Sequence, residues 1–389
     1  MRIGIVYDAL YPFVRGGAER RNHELAARLS ASHEVHVVSW RYWDGPAVVV
    51  RDGITYHGVG RPPPLYGPDG KRRVSEVLGF SLRVLPVLLR QRFDVVDCSA
   101  TPYVPLYSAW LASRLTRSRL LVTWHEFWGE HWLEYLPHRP MLARIARAVE
   151  SGSRRLGDVL VAVSPFTAER MNGAGQYRVS IVGNGIDIGA IRRAEPAPET
   201  YDVTFVGRLI DEKRVDLLID ALARLISQRR PSLRCAIVGE GPERAALEER
   251  TSRLDIADAV RFMGALPDAE TYGLLKSSRL FAMPSAREGF GVAVIEAQAC
   301  GAVPVVVRSP MSAAGYLLVD GVDGRLCDAD AGALACAIDE LLTDEPKRLA
   351  MAGEARLAAA QRDWAIVSQQ MERAYADTAP GQVEPVLVR

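Results

Sequence analysis

Nothing in this 389-residue chain constrains its fold more than a repeated change of hydrophobic period. Short apolar runs rich in Val, Ile and Leu alternate with longer stretches whose apolar residues recur at helical spacing. In the first half the runs are Arg2–Tyr7, Glu34–Ser39, Ile54–His57, Asp94–Cys98, Leu120–Thr123, Asp158–Val163 and Val179–Ile181. Helical patterns fall between them at about 17–30, 72–91, 104–115, 139–156 and 165–171, the last opened by Ser164 as cap and Pro165 at the first helical position. Residues 190–200 contain Pro196 and Pro198 and little apolar pattern, which reads as a linker. The alternation then restarts. Strands are expected at Asp202–Val206, Leu233–Val238, Val260–Met263, Leu280–Met283 and Val303–Val307. Helices are expected at Val215–Gln228, Glu243–Arg253, Ala269–Ser277, Val292–Cys300, 331–343 and 364–376. Repeated strand–helix units imply parallel sheets covered on both faces.

The expected architecture is therefore α/β with two Rossmann-like domains. Their expected bounds are 1–187 and 201–362, with a linker at 188–200, a final helix at 363–378 and a tail at 379–389. The length suits two domains, and no sequence repeat underlies the repeated architecture. Hydrophobic residues at 48% and charged residues at 24% describe an ordinary globular chain. The net charge of +1 hides an asymmetry: residues 1–185 hold 24 basic and 16 acidic side chains, the remainder 24 and 31. A basic first half is compatible with an anionic acceptor or membrane surface, and equally with ordinary scatter of surface charge. The start Met-Arg-Ile-Gly-Ile-Val reads as a strand rather than a signal peptide, and no run is long enough to span a bilayer. Five scattered cysteines without a CxxC or Cys/His pattern read as free thiols, Cys98 and Cys235 as buried small residues. A cytoplasmic setting is expected, with the inner membrane face as an option. Lys71-Arg72-Arg73 leads a helix whose apolar residues, among them Val77, Leu78, Phe80, Leu82 and Val84, occupy much of its circumference. That fits peripheral membrane contact, and more simply a core helix.

In open α/β sheets ligands bind beyond the carboxyl ends of the strands, so four loops matter most. Pro284 to Ala297 carries Glu288 in a loop, then Gly289, Phe290 and Gly291, a helix opening at Val292, and Glu296 inside that helix. Glycines allow close backbone approach, and a helix start suits phosphate or sugar oxygens. Two carboxylates eight residues apart can take hydroxyls at different points of one extended ligand. Glu296 stands among Val294, Ile295, Ala297 and Ala299, where a carboxylate needs a partner. After the strand ending at Val206 come Gly207, Arg208 and Lys213, a fork and a point charge suited to a diphosphate. After the first strand come Arg15, Gly16 and Gly17; this is not GxGxxG and is also consistent with a tight turn. After Thr123 come His125 and an aromatic loop in which Trp124, Trp128 and Trp132 are either stacking surfaces or plain packing. Val182 to Asp187 reads mainly as a turn.

Together these residues resemble the family-4 retaining glycosyltransferases of the GT-B fold, over about residues 1–376. Glu288 and Glu296 resemble the family's E-x7-E signature, Gly207-Arg208…Lys213 its diphosphate stretch, Gly16-Gly17 its glycine loop and His125 its active-site histidine. Asn184-Gly185-Ile186-Asp187 resembles the turn before the linker, and Trp364 to Tyr375 the helix that crosses back to the first domain. The resemblance implies two domains facing across a cleft, the first on the acceptor side and the second binding a nucleotide sugar. It implies that Glu296 binds ribose, that Glu288 binds a donor-sugar hydroxyl, and that Arg208 and Lys213 neutralise the diphosphate. Backbone N–H groups of Phe290, Gly291 and Val292 would hold sugar or phosphate oxygens, with Gly289 in the same loop. Gly17 would approach the donor, His125 would lie near the reacting carbon, and Arg261–Leu266 would line the base. Three positions depart from the pattern: Glu126 where Asp is frequent, Arg214 where Gly is frequent, and Arg308–Gly315 without a double glycine.

The implied activity is a retaining hexosyl transfer from a UDP- or GDP-sugar to a glycan, lipid or small-molecule hydroxyl, without metal or other cofactor. His125, Glu288, Arg208 and Lys213 form the catalytic set. Nothing points to nucleic acid as a partner, and oligomeric state is not read from the sequence. The alternatives are a nucleotide-sugar epimerase of the same fold and a non-catalytic sugar-nucleotide-binding protein. A dinucleotide oxidoreductase is disfavoured because Gly239-Glu240-Gly241-Pro242-Glu243-Arg244 lacks the third glycine.

Overall fold

The computed structural model describes residues 1–14, 16–64, 73–172 and 177–376. Arg15, Lys71, Arg72 and the 379–389 tail lie outside the described residues. The chain divides into two units. One comprises Met1–Asn184 with the helix Trp364–Ala376; the other is Gly185–Asp363.

The first unit is built on eight strands: β1 Arg2–Val6, β2 Glu34–Ser39, β3 Val48–Arg51, β4 Ile54–Gly58, β5 Val95–Ser99, β6 Arg119–Trp124, β7 Val159–Ala162 and β8 Val179–Ile181. They lie in the order β3-β4-β2-β1-β5-β6-β7-β8. All pairings are parallel except that of β3 with β4. β3 was not expected from the sequence. It is an edge strand with Val48 and Val50 exposed, joined to β4 through Asp52-Gly53 with φ of 50° and 76°, a pairing that hairpin turns favour. Because side chains alternate across a sheet, Leu120 and Val122 pack with Phe80, Val84 and Leu106 on one face, whereas Leu121 packs with Leu25 and Met371 on the other. Helix Val74–Gln91 buries Val77, Phe80, Val84 and Leu88 and exposes Leu78 and Leu82. Most of its apolar circumference is therefore core.

The final helix, Trp364–Ala376, is tied to this unit from inside. Tyr375 donates to Asp97 Oδ2 at 2.6 Å and Thr123 to Asp97 Oδ1 at 2.9 Å, both buried. Arg21, also fully buried, donates to the Gly183 carbonyl and to Asn184 Oδ1 at 3.2 Å, and contacts the Met371 sulfur at 3.2 Å. Burial lowers the Arg21 pKa to about 10, against the opposing pull of Asp97 and Tyr375, so it stays charged at neutral pH.

The second unit has six parallel strands: β9 Tyr201–Val206, β10 Cys235–Val238, β11 Val260–Gly264, β12 Ser278–Met283, β14 Val303–Val307 and β16 Arg325–Cys327. Their order is β11-β10-β9-β12-β14-β16, so the strand order reverses between β9 and β12. A separate two-stranded piece pairs β13 Arg287–Glu288 with β15 Met311–Ser312. Residues 188–200, read from sequence as a linker, are instead folded into this unit. Asp187 caps a helix at Ile188–Arg193 by accepting from the Ala190 N–H at 2.7 Å, Ile191 is buried, and the Ala197 N–H donates to the Gly273 carbonyl at 3.0 Å. Pro196 and Pro198 follow this helix rather than interrupt it. The alanine-rich run near 347–362 is a helix, Glu345–Ala360, capped by Asp344.

Candidate active site

The second unit places Arg208, Lys213 and Glu288 in the loops after β9 and β12, where the strand order reverses, the position at which open α/β sheets take ligands. β9 ends at Val206, and Gly207 and Arg208 follow it. A Cβ on Gly239 would lie 1.8 Å from the Gly207 carbonyl oxygen, so the loops after β9 and β10 touch backbone to backbone and only glycine fits between them. Arg208 is exposed and makes no ion pair among the described residues. A single turn of 3-10 helix, Asp211–Lys213, carries Lys213 to Glu288, with which it forms a short ion pair. Both side chains are largely buried, at 17% and 11% exposure. The Ala286 N–H donates to the Glu212 carbonyl at 2.9 Å, which stitches this turn to the loop after β12. On the far side of the loop, the Ala313 N–H donates to the Glu288 carbonyl at 2.8 Å.

Arg214 takes a left-handed conformation, φ 49° and ψ 43°, which explains why glycine is frequent there in the resembled pattern. Here Arg214 donates to both oxygens of Asp216, at 3.1 to 3.4 Å, which offsets part of the backbone cost.

Gly291 is the N-cap of helix Val292–Cys300 with φ 100°; a Cβ there would press on Ala314 and Leu317 at 3.2 to 3.3 Å. Helix starts leave backbone N–H groups without intrahelical partners, so the N-cap Gly291 and the first helical residue, Val292, bring donor-rich backbone close to Glu288, joined to it through Gly289 and Phe290. Glu296, on the same helix, is buried and accepts from the Tyr272 hydroxyl at 3.2 Å. Tyr272 was not foreseen: the sequence shows that Glu296 needs a partner but not that a residue 24 positions away supplies it. Ser285 was missed too; its hydroxyl is buried at the end of β12 with no hydrogen-bond partner. Of the stretch expected to line a base, Arg261 stands near the amino end of β11 and pairs with Glu199 at 3.0 Å, away from the carboxyl ends. Only its later part, from Gly264 with φ 72°, reaches the site end of the sheet.

In the first unit, Gly16 is the N-cap of helix Gly17–Leu29 just after β1. Its φ of −165° is ordinary extended backbone. A Cβ on Gly16 would meet only the end of the Glu19 side chain, at 2.4 Å, and a carboxylate can swing aside, so neither space nor backbone strain demands glycine here. His125 follows β6, with Nε2 3.4 Å from the Ser99 hydroxyl and its ring 6.5 Å from Tyr7. Burial first and the Arg21 charge second push its pKa down to about 3, so the imidazole is neutral at physiological pH. A neutral ring can donate one hydrogen bond and accept one.

The aromatic loop decides between the two readings of its first tryptophan. Trp124 is fully buried in the core and offers no stacking surface. Trp128 and Trp132 pack on each other at 4.7 Å, and Tyr135 meets Trp128 edge-on at 4.8 Å. Buried Glu150 pins this loop by accepting from the Trp128 N–H at 2.8 Å, the Gly129 N–H at 2.7 Å and the Tyr103 hydroxyl at 2.6 Å. Glu126, the departure noted above, accepts from the Trp128 indole at 2.8 Å.

Among the described residues, no three His, Cys, Asp or Glu side chains gather as a metal site. All five cysteines are free, four of them buried. No helix among the described residues is long and apolar enough to cross a membrane.

Comparison with known proteins places this geometry. Residues 15–189 match the profile of Glycosyltransferase Family 4 and residues 187–358 that of Glycosyl transferases group 1. A D-inositol 3-phosphate glycosyltransferase of Corynebacterium urealyticum is 29% identical over 92% of this chain and 88% of its own. Sucrose-phosphate synthase of Thermosynechococcus elongatus superposes with a TM-score of 0.80 at 18% identity, over 96% of this chain and 98% of that one. Anabaena HepE in complex with UDP superposes with a TM-score of 0.76 at 22% identity, over 97% and 100%. The chain is a GT-B enzyme and belongs to the group 1, family-4 glycosyltransferases.

Proposed function

We propose that this glycosyltransferase takes a hexosyl group from a UDP- or GDP-linked sugar and passes it, with retention of configuration, to a hydroxyl of a glycan, lipid or small-molecule acceptor. The observation that carries the reading is the Lys213–Glu288 pair beside the start of helix Val292–Cys300, at the point where the second sheet reverses its order. Arg208 and Lys213 neutralise the diphosphate. Glu288 and the N–H groups of Phe290, Gly291 and Val292 hold sugar and phosphate oxygens, and Glu296 takes ribose hydroxyls. The solved complex of HepE with UDP, a protein of the same fold, supports a nucleoside diphosphate as the leaving group.

The donor's C1–O bond to the diphosphate breaks as the acceptor oxygen attacks from the same face, and the acceptor proton passes to the leaving phosphate oxygen. Preorganised cations and helix-start N–H groups stabilise the charge that develops on that phosphate, so the transfer needs no divalent cation. Glu288, tied to Lys213, acts as a positioning carboxylate rather than a nucleophile. In the first unit, Gly16 and Gly17 leave the start of their helix open to the donor, and His125 serves as a neutral hydrogen-bonding group toward a sugar hydroxyl. Free thiols and a nucleotide-sugar substrate suit a reducing, cytoplasmic setting.

The experiment is transfer from UDP-glucose, UDP-galactose and GDP-mannose to an acceptor panel that includes inositol phosphates, with the product anomer read by NMR. An α-linked product from an α-linked donor is expected. A β-linked product, or interconversion of the donor without an acceptor, would overturn the reading in favour of inversion or epimerisation.

A further inference from the structure

We propose that Tyr272 is a positioning residue for nucleotide recognition: its hydroxyl orients Glu296 so that the carboxylate discriminates ribose from sugars lacking the 2′ and 3′ hydroxyls. The inference rests on the proposed role of Glu296. It is argued from two features of the fold.

The first is the contact itself. Tyr272 lies on helix Asp268–Lys276, is 1% exposed, and donates to Glu296 Oε1 at 3.2 Å. A carboxylate on a helix turns about its side-chain bonds, and each carboxylate oxygen accepts at more than one lone pair. A hydroxyl fixed on one oxygen selects one rotation and presents the remaining lone pairs in a constant direction. A vicinal diol demands this, because both hydroxyls must meet acceptors at once.

The second is the rigidity of the element that carries Tyr272. Gly273 lies so close to the preceding segment that a Cβ would sit 2.3 Å from the Glu195 carbonyl oxygen. Its own carbonyl accepts from the Ala197 N–H at 3.0 Å. Lys276 Nζ donates to the Ala194 carbonyl at 2.6 Å and Ser277 to the Ala197 carbonyl at 2.8 Å. The segment that the sequence presented as a linker thus clamps the carboxyl-terminal half of this helix, beginning at the residue next to Tyr272, and the phenol has little freedom to follow a wandering carboxylate. A side chain held only for packing would not need its hydroxyl aimed at the one buried acid of the neighbouring helix.

The test measures the dissociation constants of UDP and GDP and of their 2′,3′-dideoxy counterparts, by calorimetry, on wild type, Tyr272→Phe and Glu296→Gln. Tyr272→Phe keeps the ring and its packing, and melting temperature checks that the fold survives. The expected result is a loss of affinity for the ribose nucleotide of roughly tenfold, the size expected for a hydrogen bond to a charged group, with a much smaller change for the dideoxy form. Equal weakening of both forms, or no weakening of either, overturns the proposal. Glu296→Gln separates the two levels. If it keeps full discrimination between ribose and dideoxyribose, the role of Glu296 is itself wrong. If it loses discrimination while Tyr272→Phe keeps it, only the role of Tyr272 fails. A wild type that binds neither nucleotide ends both.

Discussion

The two units solve the same architectural problem with different materials. The second unit partners two of its site carboxylates before any ligand arrives: Lys213 on Glu288 in the loops that follow the strands, and Tyr272 on Glu296 between two helices of the same unit. The first unit holds its site residues apart. His125 is neutral and hydrogen-bonded only weakly, at 3.4 Å, and its neighbouring loop spends its aromatic residues on itself. The lesson is a division of labour. On the proposed function, a ligand of fixed shape and charge rewards a prebuilt, charge-paired site, whereas the first unit keeps a neutral group, His125, beside a loop packed on itself. Composition sharpens the contrast. All seven histidines and all seven tryptophans belong to the first unit, since Trp364 returns to it on the last helix.

The largest expected effect comes from breaking the charge pair. Lys213→Ala removes a phosphate cation and strips Glu288 of its ion-pair partner, so kcat/KM should fall by about 10²- to 10³-fold. Glu288→Gln in the same background should lose far less than the sum of the two single changes, which a double-mutant cycle on kcat/KM reads.

In the first unit the corresponding internal tie is structural. Tyr375→Phe leaves buried Asp97 one donor short and should cost about 2 kcal/mol in urea unfolding, with nucleotide affinity unchanged. A large loss of nucleotide affinity would mean that the tie between Tyr375 and Asp97 does more than stabilise the first unit.

Acid should separate the units next. Burial lowers the pKa of His125 to about 3 and of His57 to about 4, and also lowers those of His23 and His36. A histidine whose folded pKa lies below its unfolded value near 6.5 takes up protons on unfolding. The native state is therefore fully favoured above that value and loses stability as pH falls toward the folded pKa. Between pH 6.5 and 5, before most carboxylates titrate, this penalty falls on the first unit alone, because the second has no histidine. Tryptophan fluorescence, which reports only the first unit, should show a falling urea midpoint over that range. The part of the far-UV circular dichroism transition that fluorescence does not follow should stay put. His125→Gln should flatten the fluorescence trend.

Two smaller effects complete the series. Arg214→Gly relieves a left-handed backbone but gives up the contact with Asp216 and adds unfolded-state freedom, so it should stabilise by no more than about 0.5 kcal/mol in thermal unfolding. Chelation by EDTA should leave the transfer rate unchanged; a loss restored by magnesium would show that Arg208 and Lys213 do not suffice for the diphosphate.

How much of this was legible in the sequence follows from the range of the forces involved. Strand Glu34–Ser39 and helices Val215–Gln228 and Val292–Cys300 fall where their periodicity puts them, because burial on one or both faces fixes the pattern residue by residue. β3 was invisible because an edge strand with exposed valines buries no regular face, and the two-residue pairing of β13 with β15 is too short to leave a period. The helix at Ile188–Arg193 was lost to the prolines that follow it. At the site, the charges of Lys213 and Glu288 were readable, but their pairing spans 75 positions and depends on strand order. Trp124 stays open between stacking surface and core packing in the sequence because aromatic residues after a strand serve core and ligand alike; only burial distinguishes them.

The central claim is that the second unit holds a nucleoside diphosphate through Glu296 and its neighbours. Its most direct test is thermal unfolding of wild type and Glu296→Ala with UDP, GDP, ADP and NAD. A ligand at about 100 times its dissociation constant adds about 2.7 kcal/mol of stability. The account predicts a clear rise in melting temperature with UDP or GDP that Glu296→Ala abolishes. A rise with NAD, a rise that Glu296→Ala leaves intact, or no rise with any nucleotide would contradict it.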